Sequence, residues 1–170
     1  MCRLVIGIDP GKTGAVVALD RAGRPVEWMA ADEPGGYCLK GNYSPRGLWD
    51  WLGDLTTAHE VDLVVIEKQS VRPIEARRAC LTTGQGEGML WGGVTAMGLP
   101  CERVSPAKWS RAIFGSTKAG SSTARKARAI ALCQDRIPAL PLTWGRRTKQ
   151  HTGLADAALL ALYGLQQLPV

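Results

Sequence analysis

The amino-acid sequence predicts an α/β fold, a central sheet flanked by helices, and three features carry that reading. Val5, Ile6 and Ile8 make a short β-branched apolar run closed by Asp9. Asp62-Leu-Val-Val-Ile-Glu67 is a near-continuous apolar run, the pattern of a strand covered on both faces. Between them Leu48, Trp49, Leu52 and Leu55 recur at helical spacing, and a helix leading into a buried strand is α/β architecture.

The elements follow in order. The stretch from Arg3 to Asp9 reads as a strand. Pro10-Gly11 and Gly14 turn the chain, and Ala15-Val-Val-Ala-Leu19 returns as a second strand. Gly23 begins the next reversal, and Val26-Glu-Trp28 makes a third. Residues 30–47 read as a loop, with Pro34, Gly35, Gly36, Gly41, Asn42, Pro45 and Gly47. Ser44-Pro45 is placed to cap a helix from Pro45 to His59. A polar stretch, Ser70 to Arg78, and the glycine-rich Thr82–Gly88 precede a helix from about Gly86 to Met97, with Met89, Leu90, Trp91 and Val94 along it. Leu99–Val104 is a short strand. Ser105-Pro106 opens another helix, which ends near Gly115. Residues 116–122 form a polar loop, Thr123–Cys133 a basic helix, 134–150 an irregular stretch, and Leu154–Leu165 a final apolar helix. No internal repeat or linker divides the 170 residues, so one domain over 1–170 is expected.

The bulk composition narrows the classes. The chain is 45% hydrophobic and 21% charged, a globular balance. No run of 18 apolar residues exists, so no membrane span is expected. The apolar run before Asp9 is too short for a signal peptide, and a cytosolic protein is expected. Five cysteines without a CxxC pair or a Cys/His cluster support neither a disulfide framework nor structural zinc. The net charge is +6, but its distribution matters more. Arg103 to Lys149 holds eleven Lys/Arg against one acid, Asp135. A block this one-sided points to a polyanionic partner, most simply nucleic acid, with a merely solubilising face as the alternative.

Three acids stand beside apolar runs: Asp9 and Glu67 at strand ends, and Asp156 in the first turn of the last helix. Each has a plain alternative. Asp9 can be a turn-forming Asx residue, and Asp156 can stabilise a helix N-terminus. Three together are better explained by hard cations. Clustered carboxylates repel one another, and Mg²⁺ or Mn²⁺ relieves that repulsion. A metal pair can activate water and stabilise the leaving oxygen of a phosphodiester. The basic block would then hold the phosphate backbone.

Here the sequence resembles the RuvC-type junction resolvases of the RNase H-like superfamily, more closely their phage branch. The matching pieces are Ile6-Gly-Ile-Asp9-Pro-Gly-Lys-Thr-Gly14, Val64-Val-Ile-Glu-Lys68, Thr83-Gly-Gln-Gly-Glu-Gly88, Val104-Ser-Pro-Ala-Lys-Trp109 and Ala155-Asp-Ala-Ala-Leu-Leu-Ala-Leu-Tyr-Gly164. The resemblance implies an RNase H-like fold with a mixed central sheet. It also implies a homodimer, built through the helix around Met89–Met97, and Mg²⁺-dependent nicking of four-way (Holliday) junctions and other branched DNA, Mn²⁺ substituting. It maps the metal ligands onto Asp9, Glu67 and Asp156. Relatives carry a fourth ligand three residues before the last Asp, where this chain has Gly153. The nearest substitutes are His151 and, less well placed, Asp135; a plain surface histidine is the alternative for His151. Lys149 is a candidate to hold the scissile phosphate, and Lys68 likewise.

The expected DNA-binding set is Lys68, Arg72, Arg77, Arg78, Lys108, Lys118, Arg125, Lys126, Arg146, Arg147 and Lys149. Trp109 reads as core or as a base-stacking residue, Trp144 as packing or DNA contact, and Trp49, Trp51 and Trp91 as packing. Competing functions are a non-catalytic branched-DNA-binding or packaging adaptor with the same fold, and a related nuclease acting on RNA or RNA–DNA hybrids. An actin-like phosphotransferase needs two lobes, for which the chain is too short.

Overall fold

The computed structural model describes residues 1–69, 77–115 and 121–169. A five-stranded mixed sheet forms the middle layer: β1 (Arg3–Asp9), β2 (Ala15–Asp20), β3 (Pro25–Ala30), and, beyond a small β4 (Cys38–Leu39) and β5 (Asn42–Tyr43) ribbon, β6 (Glu60–Glu67) and β7 (Cys101–Val104). Their order is β3-β2-β1-β6-β7. β1, β2 and β3 form an antiparallel meander, and β6 and β7 run parallel to β1. The helices are α1 (Arg46–Ala58), α2 (Arg77–Ala96), α3 (Pro106–Phe114), α4 (Ser122–Arg136) and α5 (Thr152–Gln167).

The period-two alternation of β1 sorts its side chains between two covers. Leu4, Ile6 and Ile8 join Leu48, Leu52 and Leu55 of α1 and Leu90 and Val94 of α2. Val5 faces the other way, with Leu154, Ala157, Ala158 and Ala161 of α5. A third cluster, around Val65, Val104, Trp109, Ala129, Leu160 and Tyr163, ties α3 and α4 to the same face. Burial of β1 on both sides explains its unbroken apolar run.

The helix α5 lies unusually close to the sheet. A Cβ on Gly7 would collide with the Ala157 carbonyl and the Ala161 amide, and one on Gly164 with Val5 and Val65. At the N-terminal end of the same helix, a Cβ on Gly153 would strike the Thr13 carbonyl and Gly14. Small residues on both surfaces therefore set the depth of α5.

Several expectations need correction. The helix α2 starts at Arg77, so the glycine-rich Thr82–Gly88 is helical rather than a lead-in. Two of its glycines are required by bulky neighbours: Gly86 lies against the Tyr43 ring and Gly93 against the Trp49 indole. Ser44 does not cap α1; Pro45 holds that position with no side-chain cap bond. The segment 30–47 is not only loop, since it contains the β4–β5 ribbon. Trp49 and Trp91 remain partly exposed. At α3 the Ser105 cap accepts from the Lys108 N–H, with Pro106 at the first position and Gly115 closing the helix at φ 69°. Most of the polar loop at 116–122 lies outside the described residues.

Gly7→Ala tests the close approach. It forces a methyl onto helix backbone rather than onto a flexible side chain, so it should cost about 3 kcal/mol, the upper end for overpacking. Urea denaturation of the two proteins measures this, and a Gly7→Ala protein as stable as the unaltered one would refute the packing.

Candidate metal centre

Strand register places the first two acids. Ile8 pairs with Ile66 between the parallel strands β1 and β6, so Asp9 and Glu67, the next residues of each, end on one edge of the sheet. This is the carboxyl edge, where α/β sheets gather ligands. The depth of α5 brings Asp156, in its first two turns, toward the same edge. All three acids are half-buried.

Their electrostatics are coupled. Burial, followed by the charges of Glu67 and Asp156, pushes Asp9 up to about 8. Burial and then Glu67 push Asp156 up to about 7. Burial also raises Glu67, opposed by hydrogen bonds from Trp109 and Gln69 and by Arg125. Three carboxylates share a low-dielectric edge and resist ionising together. Among the described residues no three His, Cys, Asp or Glu side chains close into a ready-made ligand cage. Still, three oxygen donors that repel in the absence of a counter-charge are the donor chemistry a hard divalent cation needs. The residues present fit such an ion.

Hydrogen bonds brace the edge. Asp9 Oδ1 accepts the Gly11 N–H at 3.1 Å. Trp109 Nε1 donates to Glu67 Oε1 at 2.9 Å, and Gln69 Nε2 donates to Glu67 Oε2 at 3.4 Å. The fully buried Tyr37 donates its hydroxyl to the Asp9 carbonyl, and Tyr43 donates to the Pro10 carbonyl at 2.9 Å. The two tyrosines thus fix the turn that follows Asp9. Sequence reasoning missed both, because they sit in a stretch without periodicity. It also missed Trp109 as a hydrogen-bond donor.

The cationic residues divide. Arg125 and Lys126, exposed on the first turns of α4, are the near counter-charges: both act on Asp156, Lys126 on Asp9 and Arg125 on Glu67. Lys68, Arg77, Arg146 and Lys149 are exposed. Lys108 is exposed but pairs with Glu102 at 2.8 Å. Arg147 is committed within the fold, pairing with Asp32 and Glu33 at 3.3 and 3.1 Å and stacking on Trp144. Arg72, Lys118 and the side chain of Arg78 lie outside the described residues.

His151 has other work. It is buried, its Nδ1 accepts the Leu154 N–H at 2.9 Å as the cap of α5, and its Nε2 lies 3.4 Å from Asp32. Both ring nitrogens are engaged away from the three acids, which corrects its reading as the substitute ligand. Burial lowers its pKa, opposed by Asp32. Asp135 pairs with its neighbour Arg136. Trp144 packs on Trp28, with ring centroids 4.7 Å apart, and on His151.

No family model and no curated protein sequence matches the chain. Solved structures do. A Thermus thermophilus RuvC in complex with a Holliday junction substrate superposes with a TM-score of 0.62 at 17% identity, covering 94% of this chain and 91% of that one. Another structure of Thermus thermophilus RuvC gives 0.58 at 17% identity, covering 94% and 92%. The fold is RuvC-like. The RNase H-like class and the mixed sheet expected from the sequence are those of the molecule. Among the described residues no helix is long and apolar enough to cross a membrane.

The raised carboxylates give a pH prediction. In the unfolded chain Asp9 loses its proton near its ordinary value of 3.8, while in the folded chain it keeps it to about 8. Between those values the folded state binds more protons, so stability falls as pH rises. The cation-free Tm should therefore drop between about pH 4 and pH 8, less steeply in Asp9→Asn, and added Mg²⁺ should raise it most at the alkaline end of that range. A cation-free Tm that is flat or rising over that range would contradict the burial of charge at this edge.

Proposed function

We propose that the protein is a divalent-cation-dependent, structure-selective DNA endonuclease that nicks four-way junctions and related branched DNA as a homodimer. One observation supports this: Asp9 and Glu67 end neighbouring parallel strands on the carboxyl edge of a RuvC-like sheet, and the two are coupled by charge to Asp156 of α5 and to Arg125 and Lys126 of α4. A catalytic edge and a phosphate-binding face are thus adjacent.

Asp9, Glu67 and Asp156 would hold the cation. A bound Mg²⁺, or Mn²⁺ in its place, supplies Lewis-acid activation of water and stabilisation of the leaving oxygen. Arg125 and Lys126 would draw a phosphate to the acid edge and offset its charge. Lys68, Arg77, Arg146 and Lys149 are exposed cations for the flanking backbone, a contact mode that reads shape more than sequence. The dimer would form through α2. Along that helix Gly84, Gly88 and Gly92 open onto unfilled space, flanked by Leu81, 72% exposed, and Trp91, 42% exposed. Two such faces can approach closely, and two-fold symmetry matches two nicks in a pseudo-symmetric junction.

A second reading is a junction-binding protein without catalysis. It is favoured by Gly153 where the resemblance implies an Asp or His ligand, and by the engagement of His151 elsewhere. A synthetic four-way junction separates the two. In Mg²⁺ the unaltered protein should nick it, and Asp9→Asn should nick about 100-fold more slowly or worse while still binding, since metal ligation provides several kcal/mol of charge stabilisation. Replacing Arg125 and Lys126 by Ala should weaken binding and flatten its log–log salt dependence by about one for each phosphate no longer neutralised. Tight binding with no nicking in either Mg²⁺ or Mn²⁺ would select the adaptor reading. Equal cutting of hybrid duplex would select the RNA-directed alternative.

A further inference from the structure

Glu67 is held far more tightly than a residue needing only to face solvent or a cation. Trp109 stands one turn into α3, and α3 begins straight after Val104, which pairs with Glu67 in the sheet. The topology therefore folds the indole back over the end of β6. Trp109 is 4% exposed and packed among Val65, Val104, Leu160 and Tyr163, with the Phe114 ring 6.0 Å away. An indole seated this way cannot swing out to stack on a base. Its buried N–H needs an acceptor, and that acceptor is Glu67 Oε1 at 2.9 Å.

A second group bears on the other oxygen. Gln69 Nε2 reaches Glu67 Oε2 only at 3.4 Å, a long and weak contact. The Gln69 backbone is anchored in turn, because its N–H donates to Glu87 Oε2 at 3.2 Å. Glu87 is itself buried and locked by Arg103, whose Nε donates to Oε1 at 3.0 Å and whose guanidinium lies 4.6 Å from the Trp91 ring centre. The carboxylate of Glu67 thus has one firmly bonded oxygen and one loosely bonded oxygen.

We propose that Trp109 is a positioning residue whose indole N–H holds Oε1 of Glu67, leaving Oε2 as the oxygen presented to a divalent cation. Glu67 is then a one-oxygen ligand in a fixed rotamer, with Gln69, Glu87 and Arg103 bracing the backbone behind it. The inference rests on the metal-site reading above and adds to it a ligand-orienting bond that neither the acids nor the basic face supplies.

The test is Mn²⁺ binding by titration calorimetry on the full chain at fixed pH, without DNA. Trp109→Phe keeps an aromatic ring and deletes the donor, and it should bind Mn²⁺ about 10-fold more weakly, the lower end for removal of a ligand-orienting partner. In a Glu67→Gln background the same change should matter by less than about 2-fold, because the carboxylate it orients is gone. Circular dichroism and thermal melting check the fold. Should Trp109→Phe not fold, benzothienylalanine at position 109 keeps the bicyclic shape, lacks the N–H, and should weaken binding equally. Variants that bind as tightly as the unaltered protein, or an effect as large in the Glu67→Gln background, overturn the proposal. Failure of the unaltered chain to bind Mn²⁺ overturns the metal site together with it. Normal binding by the unaltered chain with no effect at position 109 overturns the orienting bond alone.

Discussion

The close approach of α5 to β1 is the constraint on which the rest of the molecule depends. Gly7, Gly153 and Gly164 lie at points where a single Cβ would meet helix backbone, turn backbone or valine side chains. Removing side-chain bulk from that seam lets α5 sink onto the sheet and carry Asp156 to the edge where β1 and β6 end. The cost is an apolar stripe with little side-chain burial of its own. Leu154, Leu159 and Leu160, fully buried beside the seam, offset that cost. The same contact thus serves the core and the candidate site.

Gathering acids there works against the fold. Asp9 and Asp156 both favour their protonated forms, chiefly because burial denies them water and then because each feels another carboxylate. Among the described residues the answer is nearby charge rather than direct ion pairs. Arg125 and Lys126 act on the acids from α4 while their own side chains stay exposed, so they remain able to face a polyanion. Arg147 shows the contrasting arrangement, in which a guanidinium is tied to Asp32 and Glu33 and contributes to architecture. Position in the basic block does not by itself decide which role an arginine takes.

Much of this was legible in the sequence, and what was not has a physical cause. Strands that end in Asp9 and Glu67 stand out because an acid breaks an apolar run, and the parallel register then makes them neighbours. Asp156 stands out for the same reason in an apolar helix. The start of α2 is hidden because Gly84, Gly86 and Gly88 carry no helical signal; tertiary packing overrides their poor propensity. Tyr37 and Tyr43 are hidden in a glycine- and proline-rich segment, though they brace the turn after Asp9 from well down the chain. The dual character of Trp109 is hidden because an indole in an apolar setting reads as core. It is core, and its one polar atom also holds Glu67.

Gly153 brings these strands together. The resemblance to resolvases implies a further ligand at that position. Here the first turn of α5 presses against the turn of Thr13 and Gly14, so closely that even a methyl group has no room. Gly153 gives the helix a tight seat on the Asp9 turn and no side-chain donor. With three acids and no fourth donor from that position, any cation held at the edge would rest on Asp9, Glu67 and Asp156 alone. Orientation of the remaining acids must then count for more, since each missing ligand leaves the others to define the geometry. The hydrogen bonds that fix Glu67, and the tyrosines that fix the backbone of Asp9, hold two of the three acids in place without help from a fourth side chain.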